Sequence, residues 1–435
     1  MLDLASSELP NATIASPRPP SQWPRAITQA YAGVADPHAT PAALAAAANA
    51  SAAAAMLARP ATSTGPAEGT LSLAEGILGA VGQTPTVALR RLLRRTDLEA
   101  FAKLEFCNPA GSMKDRPSAA MLQAAIADGT LCPGMTVVES SSGNMGIGLA
   151  QACAYHGFPF VCVVDPRTQQ TNIEVMRAYG ATIDLVAEPD PATGDFLAAR
   201  LNRVRHLTAS RDDVFWPNQY ANPNNPQAHT EGTAAELHAA AGPLDLLLVA
   251  TSTTGTLGGC LAYFHRESPG TRIAAVDAAG SVLFGGTNGP RRISGLGAGR
   301  TPSLAEGLRP DRVERVTDLD CVVGCRRLVR DEAILAGGSA GGLVTTLLRL
   351  EPELPSGCRV GMIIADHGSR YLQTVYSDDW VRETTGLDRD ALQHRVESLK
   401  RTTSDRPAAS RETPYETTPD PTTEPCAATL GGATR

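Results

Sequence analysis

Lys114 is the residue whose type and position most directly suggest covalent chemistry. It lies in the loop Asn108–Arg116 (NPAGSMKDR), which proline and glycine punctuate, at the start of a predicted helix. Among 38 basic residues, Lys103, Lys114 and Lys400 are the only lysines. A lysine amine can lose its proton and attack a carbonyl carbon, whereas an arginine guanidinium stays protonated. Scarcity and context therefore favour a nucleophile at position 114 over a solvated surface lysine.

Three loops rich in serine, threonine and glycine each follow a predicted strand and precede a predicted helix. In a parallel sheet, such loops lie at the carboxyl ends of the strands, where ligands bind. Backbone N–H groups and hydroxyls at a helix N-terminus favour an anion such as phosphate, although the same residues also cap helices. Neither a GxGxxG nor a GxxxxGK[ST] motif is present, which argues against nucleotide binding. The loops are Glu139–Asn144, Ala250–Thr256 and Gly337–Gly342.

Short apolar runs alternate with helical stretches, and this rhythm predicts βαβ units in parallel sheets. We expect an α/β fold of two lobes with a cleft between them. The predicted strands are Met135–Val138, Phe158–Val164, Thr182–Val186, Leu244–Val249, Arg272–Val276 and Arg359–Ile364. The predicted helices include Pro117–Asp128, Met145–His156 and Gln227–Ala241, and glycines follow several of them, as expected at helix ends.

Composition limits the other classes of function. Residues 1–70 and 401–435 contain few core-forming residues, which predicts disordered ends around an ordered unit of about 71–400. The net charge of −7 gives no support for nucleic-acid or membrane binding, and no run reaches the length of a membrane span. Nine cysteines without CxxC pairs indicate a reducing compartment, hence a cytoplasmic protein, and predict no metal site.

Together these motifs resemble the fold-type II pyridoxal-phosphate (PLP) enzymes of the cysteine synthase and cystathionine β-synthase family, whose fold is like that of the tryptophan synthase β subunit. The resemblance covers about residues 75–381. It implies that Lys114 binds PLP covalently and, once freed, removes a proton from the substrate as a general base. The cofactor-binding residues that the resemblance implies are Lys114, Asn144, Ser252, Thr253, Thr254, Gly255, Thr256 and Ser339.

The resemblance also implies a set of substrate-binding residues. The family's carboxylate loop corresponds to Ser141–Asn144, its substrate-facing glutamine to Gln219, and its flexible loop to Gly295–Gly299. The implied substrate contacts are Ser141, Ser142, Gly143, Asn144, Met145, Gln219, Gly295 and Arg300. His229 and Glu231 are interpreted as a polar pair at a helix start, and Asp366 as part of an ordinary structural loop.

Departures from cysteine synthases indicate the substrate. Met145 replaces a usual threonine, Ser252–Thr256 (STTGT) replaces GTGGT, and Arg300 stands where an aromatic residue is common. The combination resembles the branch that makes N-(2-amino-2-carboxyethyl)-L-glutamate from O-phospho-L-serine and L-glutamate, for 2,3-diaminopropionate in siderophores or nonribosomal peptides. An arginine near the leaving group suits a phosphate, although Arg300 is equally well explained as a surface residue.

The reaction that the resemblance implies is β-replacement through an α-aminoacrylate. The alternatives are a cysteine synthase or O-phosphoserine sulfhydrylase that uses sulfide, and a non-catalytic PLP-binding homologue. The catalytic unit is predicted to span 71–400, with a smaller mobile lobe at about 115–215 and a larger lobe formed by 71–114 and 216–381. The family also implies a homodimer that acts on small amino-acid substrates.

Overall fold

The computed structural model describes residues 74–398. The disorder predicted for 1–70 and 401–435 lies outside the described residues. Within 74–398, no helix is long and apolar enough to cross a membrane.

The described strands form a six-stranded sheet in the order β1-β2-β10-β7-β8-β9 and a four-stranded sheet in the order β5-β4-β3-β6. The strands are β1 (Thr86–Ala88), β2 (Glu99–Leu104), β3 (Thr136–Ser140), β4 (Phe160–Val164), β5 (Thr182–Leu185), β6 (Val214–Phe215), β7 (Leu246–Ala250), β8 (Arg272–Ala278), β9 (Arg312–Val316) and β10 (Arg359–Ile364). The pairs are parallel except for β1, an edge strand antiparallel to β2. The predicted α/β fold with parallel sheets is therefore confirmed, with one antiparallel edge.

Helices connect the strands, and several begin or end at residues with a clear local preference. The helices are α1 (Asp115–Ala127), α2 (Asn144–His156), α3 (Gln170–Ala178), α4 (Phe196–Ser210), α5 (Asn224–Ala228), α6 (Ala235–Ala241), α7 (Gly255–Glu267), α8 (Asp318–Glu332), α9 (Gly338–Leu350), α10 (Asp378–Thr385) and α11 (Arg389–Ser398). Gly157 ends α2 with a left-handed backbone (φ 77°), which glycine adopts without strain. Thr317 and Asp320 form a capping box at the start of α8.

The helix predicted at Gln227–Ala241 is interrupted in the structure. A six-residue π-helix, His229–Ala234, separates α5 from α6. Hydrophobic periodicity did not indicate this change, because the π-helix covers only six residues inside a longer helical pattern. The interruption turns the His229 side chain towards the N-terminal end of α7, where its ring contacts Thr256.

Each sheet has an apolar core of its own. The four-stranded sheet packs against α1 and α2 through residues such as Met121, Leu149 and Val164. One face of the six-stranded sheet packs against α8 and α9 through residues such as Leu328 and Leu347. Because the cores are separate, the carboxyl ends of β3, β7 and β10 open onto the space between the sheets, where polar loops can meet.

Candidate functional site

A cavity between the two sheets brings together most of the residues that the sequence singled out. The predicted site residues that line it are Lys114, Ser141, Ser142, Gly143, Asn144, Met145, Gln219, Ser252, Thr253, Thr254, Thr256, Gly295 and Ser339. Gly255 lies next to this set at the first position of α7. Arg300 is exposed and does not line the cavity.

Lys114 is held at the mouth of α1 by the loop that precedes it. Its backbone N–H donates to the Ser112 hydroxyl at 3.1 Å, and the Asp115 carboxylate accepts from the Ala110 N–H at 2.5 Å. Burial lowers the pKa of the Lys114 amine to about 8, against the opposing influence of the Asp366 carboxylate. An amine with this pKa is partly unprotonated near neutral pH, so it is suited to act as a nucleophile and as a base.

A buried ionic network anchors the start of α1 behind Lys114. The Arg116 guanidinium donates to both carboxylate oxygens of Glu105, at 2.7 and 2.8 Å, and to both of Glu236, each at 2.7 Å. Lys103 donates to Glu236 at 2.6 Å and is 1% exposed, so this second lysine is committed to an ion pair. The network fixes the helix that carries Lys114, because each buried charge has an opposite charge at hydrogen-bond distance.

The loop after β3 wraps around the N-terminus of α2. The Ser141 hydroxyl accepts from the Gly146 N–H at 2.9 Å, which turns the backbone of the loop into the cavity. A Cβ at Gly148 would lie 2.6 Å from the Ser118 hydroxyl of α1. The glycine therefore allows α2 to approach α1 closely and keeps this loop next to Lys114.

Glu139, at the end of β3, connects the Ser141–Asn144 loop to the loop that carries Gln219. Its carboxylate is fully buried and accepts from the Trp216 indole N–H at 3.0 Å and the Gln219 N–H at 3.1 Å. The Gln219 amide in turn donates to the Ser140 carbonyl at 3.2 Å. Burial raises the pKa of Glu139 to about 7 despite these donors. Glu139 thus sets the position of Gln219 against the Ser141–Asn144 loop.

The loop after β7 has the features of a phosphate site. Thr254 adopts a left-handed backbone (φ 65°) just before α7, and the N–H groups at the start of a helix favour an anion such as phosphate. The Thr253 hydroxyl is buried and has no hydrogen-bond partner among the described residues, as expected of a group that awaits a ligand. A Cβ at Gly255 would lie 2.3 Å from the Asn225 amide oxygen, so a glycine is needed there. These residues fit a bound phosphate.

Asp366 was missed by the sequence interpretation, which assigned it to an ordinary structural loop. It lines the cavity after β10 and accepts from the Asn144 amide at 2.7 Å and from the Tyr371 hydroxyl. The Arg370 guanidinium donates to the Asn144 amide oxygen, so both ends of that amide are held. Burial raises the pKa of Asp366. Asp366 does lie in the loop after β10, but it also lines the cavity and accepts a hydrogen bond from Asn144. The sequence interpretation did not include this second role.

Arg200 is a second cavity residue that the sequence interpretation missed. It lies on α4, is 7% exposed and lines the cavity. Its Nε lies 3.2 Å from a carboxylate oxygen of Asp165, and its Nη1 has no hydrogen-bond partner within residues 74–398. No sequence motif marks Arg200, since it lies inside a helix and not in a loop rich in glycine or hydroxyl residues.

Comparison with known proteins agrees with this geometry. The sequence profile of pyridoxal-phosphate dependent enzymes matches residues 77–366. The chain belongs to this family. It is 43% identical over 310 residues to N-(2-amino-2-carboxyethyl)-L-glutamate synthase of Ralstonia nicotianae, covering 71% of this chain and 91% of that protein. It is 42% identical over 309 residues to the synthase of the same name from Cupriavidus metallidurans, covering 70% and 90%.

Solved structures show the same fold. The chain matches an O-acetylserine dependent cystathionine β-synthase of Helicobacter pylori with a TM-score of 0.66 and 28% identity, covering 71% of this chain and all of that one. The protein is therefore a PLP-dependent β-replacement enzyme of the cysteine synthase family with a fold-type II architecture. Lys114, the loop at the start of α7 and Ser339 all line the one cavity described between the two sheets.

Proposed function

We propose that the enzyme replaces the phosphate of O-phospho-L-serine with the amine of L-glutamate, which gives N-(2-amino-2-carboxyethyl)-L-glutamate and phosphate. Two relatives that carry the name of this synthase support the assignment at 42–43% identity. The structural observation that carries it is Arg200, a buried residue that lines the cavity and whose Nη1 has no hydrogen-bond partner within residues 74–398. A phosphate is the ligand that such a group pairs with best. The product serves 2,3-diaminopropionate formation for siderophores or nonribosomal peptides.

Lys114 and Ser339 would contact two different parts of the PLP cofactor. When bound, PLP supplies an electron sink for charge that develops at the substrate Cα. The Lys114 amine would hold the cofactor and would act as the base for the Cα proton, a role for which a pKa of about 8 is suitable. The Ser339 hydroxyl, 5% exposed at the start of α9, would contact the pyridine nitrogen and leave it unprotonated. A weaker electron sink favours loss of a group from Cβ.

Binding of the substrate carboxylate would fall to the loop after β3. Ser141 and Ser142 line this part of the cavity beside the start of α2, and with the N–H groups of that helix end they would contact an amino-acid carboxylate. Gln219 lies beside this loop, where its side-chain amide donates to the Ser140 carbonyl. Holding the carboxylate fixes the direction of the Cα–H bond relative to the Lys114 amine, which lowers the entropy cost of proton transfer.

The sequence predicts that Arg300 pairs with the leaving phosphate of the substrate. In this proposal Arg200 has that role instead. Arg300 is exposed, whereas Arg200 lies in the cavity, and a desolvated guanidinium binds an anion more strongly than an exposed one. The use of sulfide as nucleophile stays an alternative. The homodimer, the cytoplasmic location and the mobile lobe at 115–215 stay predictions.

Replacing Arg200 or Arg300 with methionine tests which of the two arginines binds the leaving phosphate. We expect Arg200→Met to lower kcat/KM for O-phospho-L-serine by about 10- to 100-fold, because a charged hydrogen bond to the phosphate is lost. The value of kcat/KM for O-acetyl-L-serine should change by less than about threefold. Arg300→Met is the matched control and should leave both values near those of the unmodified enzyme. Initial rates of phosphate and acetate release measure the effect. Equal losses on both substrates, or a selective loss in Arg300→Met, would contradict the role of Arg200.

A further inference from the structure

His229 is fully buried and connects the phosphate loop to the interior of the protein. Its Nε2 lies 3.2 Å from the Thr256 hydroxyl, and its Nδ1 lies 3.0 Å from the Thr233 hydroxyl. Thr256 lines the cavity at the second position of α7, where a phosphate would bind. Both ring nitrogens therefore have a hydroxyl partner, and one of those hydroxyls belongs to the site.

The backbone around His229 is arranged to bring this ring to α7. His229 begins the π-helix His229–Ala234, a conformation that is rare and frequent at functional sites. A Cβ at Gly259 of α7 would lie 2.4 Å from the Pro226 carbonyl oxygen and 2.6 Å from the His229 Cβ. Only glycine at this position allows the two helices to approach so closely. This close approach is what puts Nε2 within hydrogen-bond distance of Thr256.

The number of protons fixes the direction of the hydrogen bonds. A threonine hydroxyl carries one proton, so a Thr256 that donates to a phosphate oxygen must accept its other hydrogen bond. That bond can come from a proton on His229 Nε2, which leaves Nδ1 as the acceptor for the Thr233 hydroxyl. Burial, together with the charges of Lys114 and Arg116, lowers the pKa of His229 well below its ordinary value, so the ring is neutral and carries one proton.

We propose that His229 is a positioning residue for the cofactor phosphate: it donates from Nε2 to Thr256, so that the Thr256 hydroxyl donates to the phosphate, and Thr233 fixes the tautomer. The inference rests on the placement of the phosphate at Ser252–Thr256 in the proposed function. His229 acts through Thr256 and does not touch the substrate. Its effect should therefore depend on whether the cofactor carries a phosphate.

The test compares two cofactors that differ only in the phosphate. Full-length chains freed of cofactor are titrated with PLP and with pyridoxal, and covalent attachment is followed by absorbance and by mass after borohydride reduction. We expect His229→Leu to weaken PLP binding by about 10-fold or more, because Thr256 loses the donor that directs its own proton towards the charged phosphate, and to leave pyridoxal binding unchanged. His229→Gln, which can place an amide N–H near the position of Nε2, should recover most of the PLP affinity.

One further variant separates this inference from the placement of the phosphate. Thr256→Val removes the hydroxyl itself and should show the same selective loss of PLP affinity. If Thr256→Val is selective and the His229 variants are not, the role of His229 is wrong and the phosphate site stands. If neither Thr256→Val nor the His229 variants show a selective loss of PLP affinity, both the role of His229 and the phosphate site at Ser252–Thr256 are wrong. Should His229→Leu fail to fold, Thr233→Val serves in its place, with a smaller loss of PLP affinity expected and none for pyridoxal.

Discussion

Replacing Lys114 by alanine should abolish covalent attachment of PLP and lower turnover of O-phospho-L-serine by at least about 10²- to 10⁴-fold, the usual contribution of a positioned general base. The loss follows from two functions of one amine, which would hold the cofactor and take the Cα proton. Mass spectrometry after borohydride reduction is decisive here, because Lys103, Lys114 and Lys400 are the only lysines that could carry the label. Lys103 already pairs with Glu236 and is 1% exposed.

Two control variants show whether the chemistry or the charge of Lys114 matters. Lys114→Arg keeps a cation in the loop but cannot attack a carbonyl, so it should be as inactive as Lys114→Ala. Lys400→Ala should retain the label and full turnover. If Lys114→Ala kept either the covalent label or full turnover, the assignment of Lys114 as the residue that binds PLP and removes the proton would be wrong.

The acidity of Lys114 adds a pH dependence to the same prediction. Burial lowers the pKa of its amine to about 8, from an ordinary value of 10.5. The protonated amine cannot attack, so the rate at which cofactor-free protein captures PLP should rise with pH and level off above about 8. Stopped-flow absorbance across this range measures the midpoint. A rate that keeps rising towards pH 10 would show an ordinary exposed lysine.

Replacing Arg116 by methionine should lower the free energy of unfolding by about 3–5 kcal/mol, because it leaves buried carboxylates without their partner. Glu105 is fully buried, and Arg116 is the cation that donates to both of its oxygens. Glu236 would keep the Lys103 ammonium at 2.6 Å. The penalty therefore arises mainly at Glu105. Urea-induced unfolding of cofactor-free protein measures the change.

An exposed ion pair provides the matched control for Arg116. Arg382 and Asp379 are 2.8 Å apart, but their side chains are 63% and 77% exposed. Arg382→Met should cost no more than about 1 kcal/mol, since water screens such pairs. If Arg116→Met costs as little as Arg382→Met, the buried network does not stabilise the start of α1 as described.

The fold could be predicted from sequence where strands are buried on both faces. Strands such as Phe160–Val164 and Arg359–Ile364 are continuous apolar runs, and the sequence places them correctly. The edge strand β9 was missed because its sequence, RVERV, carries three charges. The central strand β2 was missed because it includes Glu99 and Lys103, which only the folded protein provides with partners.

The site could be predicted where it consists of local motifs. Lys114 and the loops after β3 and β7 carry glycines and hydroxyls at fixed spacing, so resemblance and helix-terminus chemistry both indicate them. Arg200 and His229 lack such a signal, because their roles depend on contacts with residues distant in sequence. Arg300 was chosen for its position after a family loop, and sequence alone could not show that it lies outside the cavity.

The proposed reaction joins an amine, not sulfide, to the Cβ of O-phospho-L-serine. The most direct measurement incubates the PLP-loaded full-length enzyme with O-phospho-L-serine and equal concentrations of L-glutamate and sulfide, and identifies the products by mass spectrometry. We expect N-(2-amino-2-carboxyethyl)-L-glutamate as the main product, formed in a one-to-one ratio with phosphate. Cysteine as the main product, with no glutamate adduct, would contradict it.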